Sequence, residues 1–245
     1  MNRMADNKLI VALDVETVGR ARELFAALRD VAGMFKIGSQ LFTAAGPEFV
    51  REIVAADSRV FLDLKFHDIP NTVAAAGREA ARLGVSIFNV HAAGGSEMMK
   101  RTAEALSEVS QREGLARPML IAVTVLTSSN AATLAEVGLT DGPREQVARL
   151  ARLVAECGLD GIVASPQEVA LVRSIVARQD FVLVTPGVRP AGVDAHDQKR
   201  VLTPAAAVRA GADYLVVGRA ILDAEHPARA AQLILEEMRG AHATA

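Results

Sequence analysis

From one end to the other, short apolar runs alternate with Ala-, Leu-, Glu- and Arg-rich stretches of helical periodicity, with no domain-sized break between them. Strand-like runs fall at 9–13, 34–37, 60–66, 85–90, 119–126, 161–164, 181–184 and 214–217. Helical stretches fall at 18–30, 49–56, 72–83, 96–113 and 143–157, then through about 177, at 204–210 and at 228–238. Alternation of this kind argues a parallel sheet wrapped by helices. The chain has 245 residues, close to the ~250 typical of an eightfold barrel. The expected fold is therefore α/β: a single (β/α)8 TIM barrel with parallel strands, one domain spanning 1–245. An open doubly wound sheet would want a Gly-rich dinucleotide fingerprint after an early strand, and Asp14-Val-Glu-Thr-Val-Gly19 is not one. The longest irregular stretches are 127–143 and 187–200, and the second is expected to act as a lid.

Within this pattern one strand is anomalous. The run Phe61-Leu-Asp-Leu-Lys-Phe-His-Asp-Ile-Pro-Asn-Thr72 places Asp63 and Lys65 inside an otherwise apolar strand, with Asp68 in the turn beyond it. Residues i and i+2 share one face of a strand. Buried unpaired charge is costly, so a strand interior seldom carries Asp and Lys without a partner or a task. Asp14, Lys36, His91, Thr127 and Arg219 also close apolar runs. In a barrel those ends converge on one mouth, where active sites lie. A packed ion pair would explain Asp63 and Lys65 alone, but it needs no second pair, Asp14 and Lys36, in the same layer.

The loops after strands 7 and 8 commonly hold phosphate in this fold. Here they are Thr185-Pro-Gly-Val-Arg189 and Gly218-Arg219. Gly218 lets the backbone approach an anion, Arg219 can fork onto phosphate oxygens, and Gln198 adds a neutral amide donor. Arg189 is a further candidate there. His67 points to the opposite strand face from Lys65 and reads as structural; His91 could face the pocket; His196 and His226 read as solvated. No His, Cys or carboxylate cluster has metal-ligand spacing, and the Ser and Thr residues lack a nucleophile-elbow context.

Composition narrows the class. With 51% hydrophobic residues and formal net charge -2, the chain reads as a soluble globular protein with scattered basic residues, so a nucleic-acid partner is not expected. The lone Cys157 lies in an apolar helical pattern and reads as a packed thiol, which fits a cytoplasmic location. The first residues lack the apolar region of a signal peptide. No apolar run reaches the roughly 18 residues of a membrane span.

The ten residues Asp63-Leu-Lys-Phe-His-Asp-Ile-Pro-Asn-Thr72 resemble the signature of orotidine 5′-phosphate decarboxylases. The similarity extends in order through Leu13-Asp14, Lys36-Ile-Gly, Leu41-Phe-Thr, Val123-Thr-Val-Leu-Thr-Ser128, Thr185-Pro-Gly-Val-Arg189, Asp197-Gln-Lys-Arg200 and Val217-Gly-Arg219. Two departures stand beside these segments: Ala220 where the family has Pro, and His196 where an acidic residue is common. The resemblance implies removal of CO2 from orotidine 5′-monophosphate (OMP) to give UMP, the last step of de novo pyrimidine synthesis, with no metal and no organic cofactor. By the same resemblance Lys65 donates the proton to pyrimidine C6, and Asp63 lies against the substrate carboxylate. Lys36 and Asp68 complete a Lys-Asp-Lys-Asp array, with Asp68 reaching into the neighbouring subunit's site. Ile69 and Thr72 would cross that interface, making a homodimer with shared sites. Asp14 and Lys36 would hold ribose hydroxyls, and Thr127 would read the pyrimidine edge. Gln198, Arg219 and the Gly218 backbone would grip phosphate, with Arg189 nearby.

The chemistry suits such residues. Loss of CO2 from C6 leaves a carbanion in the ring plane, where the π system cannot spread it. Without an electron-sink cofactor, stabilisation must be electrostatic: a fixed ammonium aimed at C6 interacts more strongly with the carbanion than with the ground state. Asp63 and Asp68 would balance and position that ammonium. One alternative is an Mg-dependent sugar-phosphate decarboxylase or hexulose-phosphate synthase, which shares Asp-x-Lys-x-x-Asp but not the continuation His67-Asp-Ile-Pro-Asn-Thr72. Another is a Schiff-base aldolase, which needs a neutral lysine, whereas two flanking carboxylates favour the charged one. A third is a non-catalytic nucleotide-binding protein, which would not need a buried Asp beside an anionic ligand.

Overall fold

In the computed structural model, which describes residues 7–190 and 202–242, the apolar runs form strands buried on both faces, as a helix-covered parallel sheet demands. They are β1 (Leu9–Ala12), β2 (Met34–Gly38), β3 (Val60–Phe66), β4 (Ile87–His91), β5 (Met119–Val123), β6 (Gly161–Val163), β7 (Val182–Thr185) and β8 (Tyr214–Val217). Each pairs in parallel with the next, and β8 pairs with β1, so these eight strands close a barrel. Helices connect successive strands on the outside, for example Val18–Leu28 between β1 and β2 and Pro143–Glu156 before β6.

The period of two along each strand separates two cores. Ile10, Met34, Phe61, Ile87, Ile121, Val184 and Tyr214 pack together in the barrel interior. Their neighbours Leu9, Val11, Phe35, Leu62, Phe88 and Leu120 pack outward under the helices. Carrying the inward parity two residues further along β2, β3 and β4 gives Lys36, Asp63 and Asn89, so three polar side chains enter the interior one layer above its apolar floor. Gly161 is required where β6 meets β7, since a Cβ there would lie 2.1 Å from the Val182 carbonyl oxygen.

Several boundaries differ from the sequence reading for local reasons. β5 stops at Val123 although the apolar run continues, because residues 125 and 126 turn into the loop above the barrel. Pro70 does not merely end β3, which stops at Phe66; it opens the helix Pro70–Arg82, where a missing N–H costs nothing. The helix read at 49–56 belongs to a longer element, Ser39–Ala55, broken at Gly46, whose φ of 68° interrupts the helical turn ahead of Pro47. The stretch 127–143 is not wholly irregular: Asn130 caps the helix Ala131–Glu136 by accepting from the Thr133 N–H. At six residues that helix is too short to show a period. Most of the expected lid, 187–200, lies outside the described residues, but its base is held where the Arg189 N–H donates to the Leu202 carbonyl at 3.0 Å. Among the described residues no helix is long and apolar enough to cross a membrane.

Candidate active site

β3 does not run straight through its charged residues. Leu62 pairs with Phe88 and Phe66 with Val90, so residues 63–65 of β3 face the single residue Asn89 of β4. Such a bulge leaves backbone groups without ladder partners and re-aims side chains. Lys65 takes φ 51°, the left-handed region, which costs a residue bearing a Cβ about 1–3 kcal/mol. The bend swings Lys65 back toward Asp63, and its Nζ lies 2.8 Å from Asp63 Oδ1. The two-residue spacing thus brings the charges together through a distorted backbone rather than a regular pleat.

Asp63 is the hub. Its Oδ2 lies 3.3 Å from Lys36 Nζ, and its Oδ1 accepts from Asn89 Nδ2 at 2.7 Å as well as from Lys65. Lys36 Nζ donates in turn to Asp14 Oδ1 at 2.8 Å. Lys36 and Asp63 are buried, whereas Asp14 and Lys65 reach partly into the open. Burial by itself would lower the Lys36 ammonium, but Asp63 and then Asp14 outweigh it and hold it above its usual range. The two buried charges, Lys36 and Asp63, thus each have oppositely charged partners, without which burying them would be costly. Gly38 makes room for this: a Cβ there would come 3.0 Å from Lys36 Nζ and 3.2 Å from Asp14 Oδ1.

The network forms one wall of a cavity of about 470 Å³ at the C-terminal mouth of the barrel, within the range of small-molecule sites. Asp14, Lys36, Asp63, Lys65, Thr127, Arg189, Gly218 and Arg219 all line it. Val123, Val163, Pro186 and Val216 supply apolar surface between the charged parts. Arg189 follows β7 and Arg219 follows β8. Arg189 is buried, and its Nε has no hydrogen-bond partner among the described residues. Burial, then the neighbouring Arg219, holds this guanidinium below its usual range, with Asp223 opposing. Two arginines converging on a partly apolar cavity are suited to a multiply charged anion. Among the described residues a Cβ on Gly218 would touch only Ala12, at 3.7 Å from its Cβ and 3.9 Å from its carbonyl oxygen, and the glycine leaves the backbone open to the cavity it lines.

Three of the residues singled out from sequence lie elsewhere. Asp68, Ile69 and Thr72 are exposed and do not line the cavity of their own chain. Asp68 Oδ1 accepts from the Ile69 N–H at 2.6 Å, and Ile69 is 66% exposed. Gln198 lies outside the described residues. His67 is exposed beyond the end of β3, its ring 5.7 Å from that of His91. Burial, then His67 and Lys65, holds His91 below the usual imidazole range, which favours its neutral form. No group of three or more His, Cys, Asp or Glu among the described residues is placed to hold a metal ion.

Asn89 is the site residue that sequence reasoning passed over. It is fully buried, and it bonds both Asp63 and the Lys65 backbone. The signal was present: an amide inside Ile87-Phe-Asn-Val-His91 is as anomalous as a carboxylate inside β3.

Known proteins share this chain's sequence and fold. Residues 7–234 match the model of the orotidine 5′-phosphate decarboxylase / HUMPS family. An orotidine 5′-phosphate decarboxylase of Geobacter sulfurreducens is 55% identical over 234 residues, covering 96% of this chain and 97% of that protein. One from Moorella thermoacetica is 52% identical over 235 residues, covering 96% and 93%. The crystal structure of orotidine 5′-phosphate decarboxylase from Lactobacillus acidophilus superposes with a TM-score of 0.83 at 36% identity, covering 95% of this chain and 99% of that one.

Proposed function

This chain belongs to the orotidine 5′-phosphate decarboxylase / HUMPS family and acts as an orotidine 5′-phosphate decarboxylase, and we propose that it does so by electrostatic stabilisation of the C6 carbanion, with Lys65 as proton donor. The reaction converts OMP to UMP and CO2 in pyrimidine biosynthesis. The observation that carries the mechanism is the Lys65 ammonium on the cavity wall, braced 2.8 Å from a buried carboxylate by a strained, bulged backbone.

A ligand spanning the cavity has its phosphate at Arg189, Arg219 and the Gly218 backbone. Its ribose hydroxyls lie at Asp14 and Lys36, and its pyrimidine at Thr127 and Lys65. The carboxylate on C6 then meets Asp63 and Lys65. As CO2 departs, the electron pair left on C6 faces an ammonium already in position, and that ammonium supplies the proton. Because its place is fixed beforehand by Asp63, little reorganisation is needed at the moment charge develops. Ground-state repulsion between Asp63 and the substrate carboxylate adds less. Binding energy at the remote phosphate helps to hold the pyrimidine against Lys65, which converts affinity into barrier lowering.

Asp68, Ile69 and Thr72 act on a second copy of the chain. They lie exposed on the segment leaving the charged strand, outside their own cavity, which suits residues that complete a partner's site in a homodimer. The buried, unbridged Cys157 accords with a cytoplasmic setting.

Purified protein treated with EDTA is expected to consume OMP, followed by loss of its ultraviolet absorbance, at the same rate as untreated protein. Dependence on added Mg2+ would instead favour the sugar-phosphate branch of the family. Arg219→Ala is expected to raise KM for OMP by about 10²–10³-fold, the scale of a lost charge-assisted fork, with a smaller fall in kcat. Equal loss for orotidine lacking the phosphate would contradict that assignment.

A further inference from the structure

Asn89 has no access to the cavity, yet it is the one β4 side chain joined to both charged residues of β3. Where the β3–β4 ladder fails across residues 63–65, the Asn89 amide replaces it. Its Oδ1 accepts from the Lys65 N–H at 2.8 Å, and its Nδ2 donates to Asp63 Oδ1 at 2.7 Å. One bond holds the backbone of a residue in a conformation that residues with a Cβ rarely adopt. The other fixes the carboxylate that braces the same residue's ammonium. A carboxylate could perform only the accepting half, and an apolar residue neither.

We infer that Asn89 is a positioning residue for the decarboxylation, holding the Lys65 backbone bend and the Asp63 carboxylate in one register. It touches no reacting atom and acts through both residues at once. This rests on the proposed role of Lys65, and the experiment separates the two: decarboxylation of OMP by the unaltered protein, and its loss in a Lys65 variant, test that role, while variants at position 89 test the inference.

Asn89→Ala removes both bonds. It is expected to lower kcat by about 10²-fold or more, the scale of a displaced preorganised group, while UMP binds within roughly threefold because the phosphate end of the cavity is untouched. Asn89→Asp keeps the shape but sets a second carboxylate where the amide donates to Asp63. Once protonated, that acid can donate to Asp63 with one oxygen and accept from the Lys65 N–H with the other. The ratio of its kcat to that of the unaltered protein should therefore rise about tenfold or more as pH falls from 8 to 6. Asp63 and the Lys65 backbone touch this position; the other charged or titratable groups near them are Lys36, paired with Asp63, and the His67–His91 pair, with His91 two residues along β4. They are present in both proteins, and taking the ratio removes their shared contribution.

A purely structural asparagine would give a ratio independent of pH, with UMP affinity falling alongside kcat. Either that pattern, or kcat within threefold of the unaltered protein in both variants, overturns the inference. Should Asn89→Ala not fold, the isosteric Asn89→Asp decides alone, with UMP binding as its check on folding.

Discussion

Lys65→Ala is expected to lose at least about 10⁴-fold in kcat, combining the removal of a general acid and of a preorganised charge, while UMP binding stays within roughly threefold. The geometry separates the two effects. UMP carries no carboxylate on C6, so the ground held by Lys65 is not needed to bind it, and the phosphate end of the cavity at Arg189 and Arg219 is unaltered. The fold should survive, because Asp63 keeps Lys36 at 3.3 Å and Asn89 at 2.7 Å. Steady-state turnover of OMP and calorimetric titration with UMP check the two halves. Turnover within tenfold of the unaltered protein would remove Lys65 from the mechanism.

Asp63→Asn should be nearly as damaging, and in two ways. The carboxylate is the shared partner of Lys36 and Lys65 and an acceptor for Asn89. A neutral amide of the same shape leaves two ammoniums facing each other across the gap. Breaking one side of a buried ionic network costs about 3–5 kcal/mol, so a marked fall in Tm is expected together with about 10³-fold in kcat, the scale of a lost electrostatic donor or its brace. For the Lys36 ammonium the sign is definite: Asp63 is the larger of the two charges that hold it up against burial, so removing Asp63 moves it down. An unshifted Tm with near-normal turnover would show that the hub assignment is mistaken.

The strand–helix alternation was legible because each strand is buried on both faces and so reads as a continuous apolar run. For the strands the ends were misjudged, as at β5, where the apolar run continues past Val123 into the cavity rim. The candidate site was legible wherever a charge interrupted or closed such a run: Asp14, Lys36, Asp63, Lys65 and Arg219 all did. Asn89 interrupted one too, but a neutral amide draws less attention than a charge, and its importance depends on a bulge in the neighbouring strand. The helix Ala131–Glu136 escaped because one short turn and a half has no period to detect.

The amino-acid order by itself determined that the strands are parallel and enclosed, since uninterrupted apolar runs alternating with helices need a sheet covered on both faces, and it determined which strand carries charge. Tertiary structure decided how those charges meet. The left-handed turn at Lys65 and the three-against-one pairing with β4 arise from two strands held side by side. Register between segments far apart in the chain is set by packing across the whole barrel, which no local pattern encodes. So the bracing of an ammonium by Asp63 and Asn89, residues 26 apart in the chain, exists only once the barrel has closed.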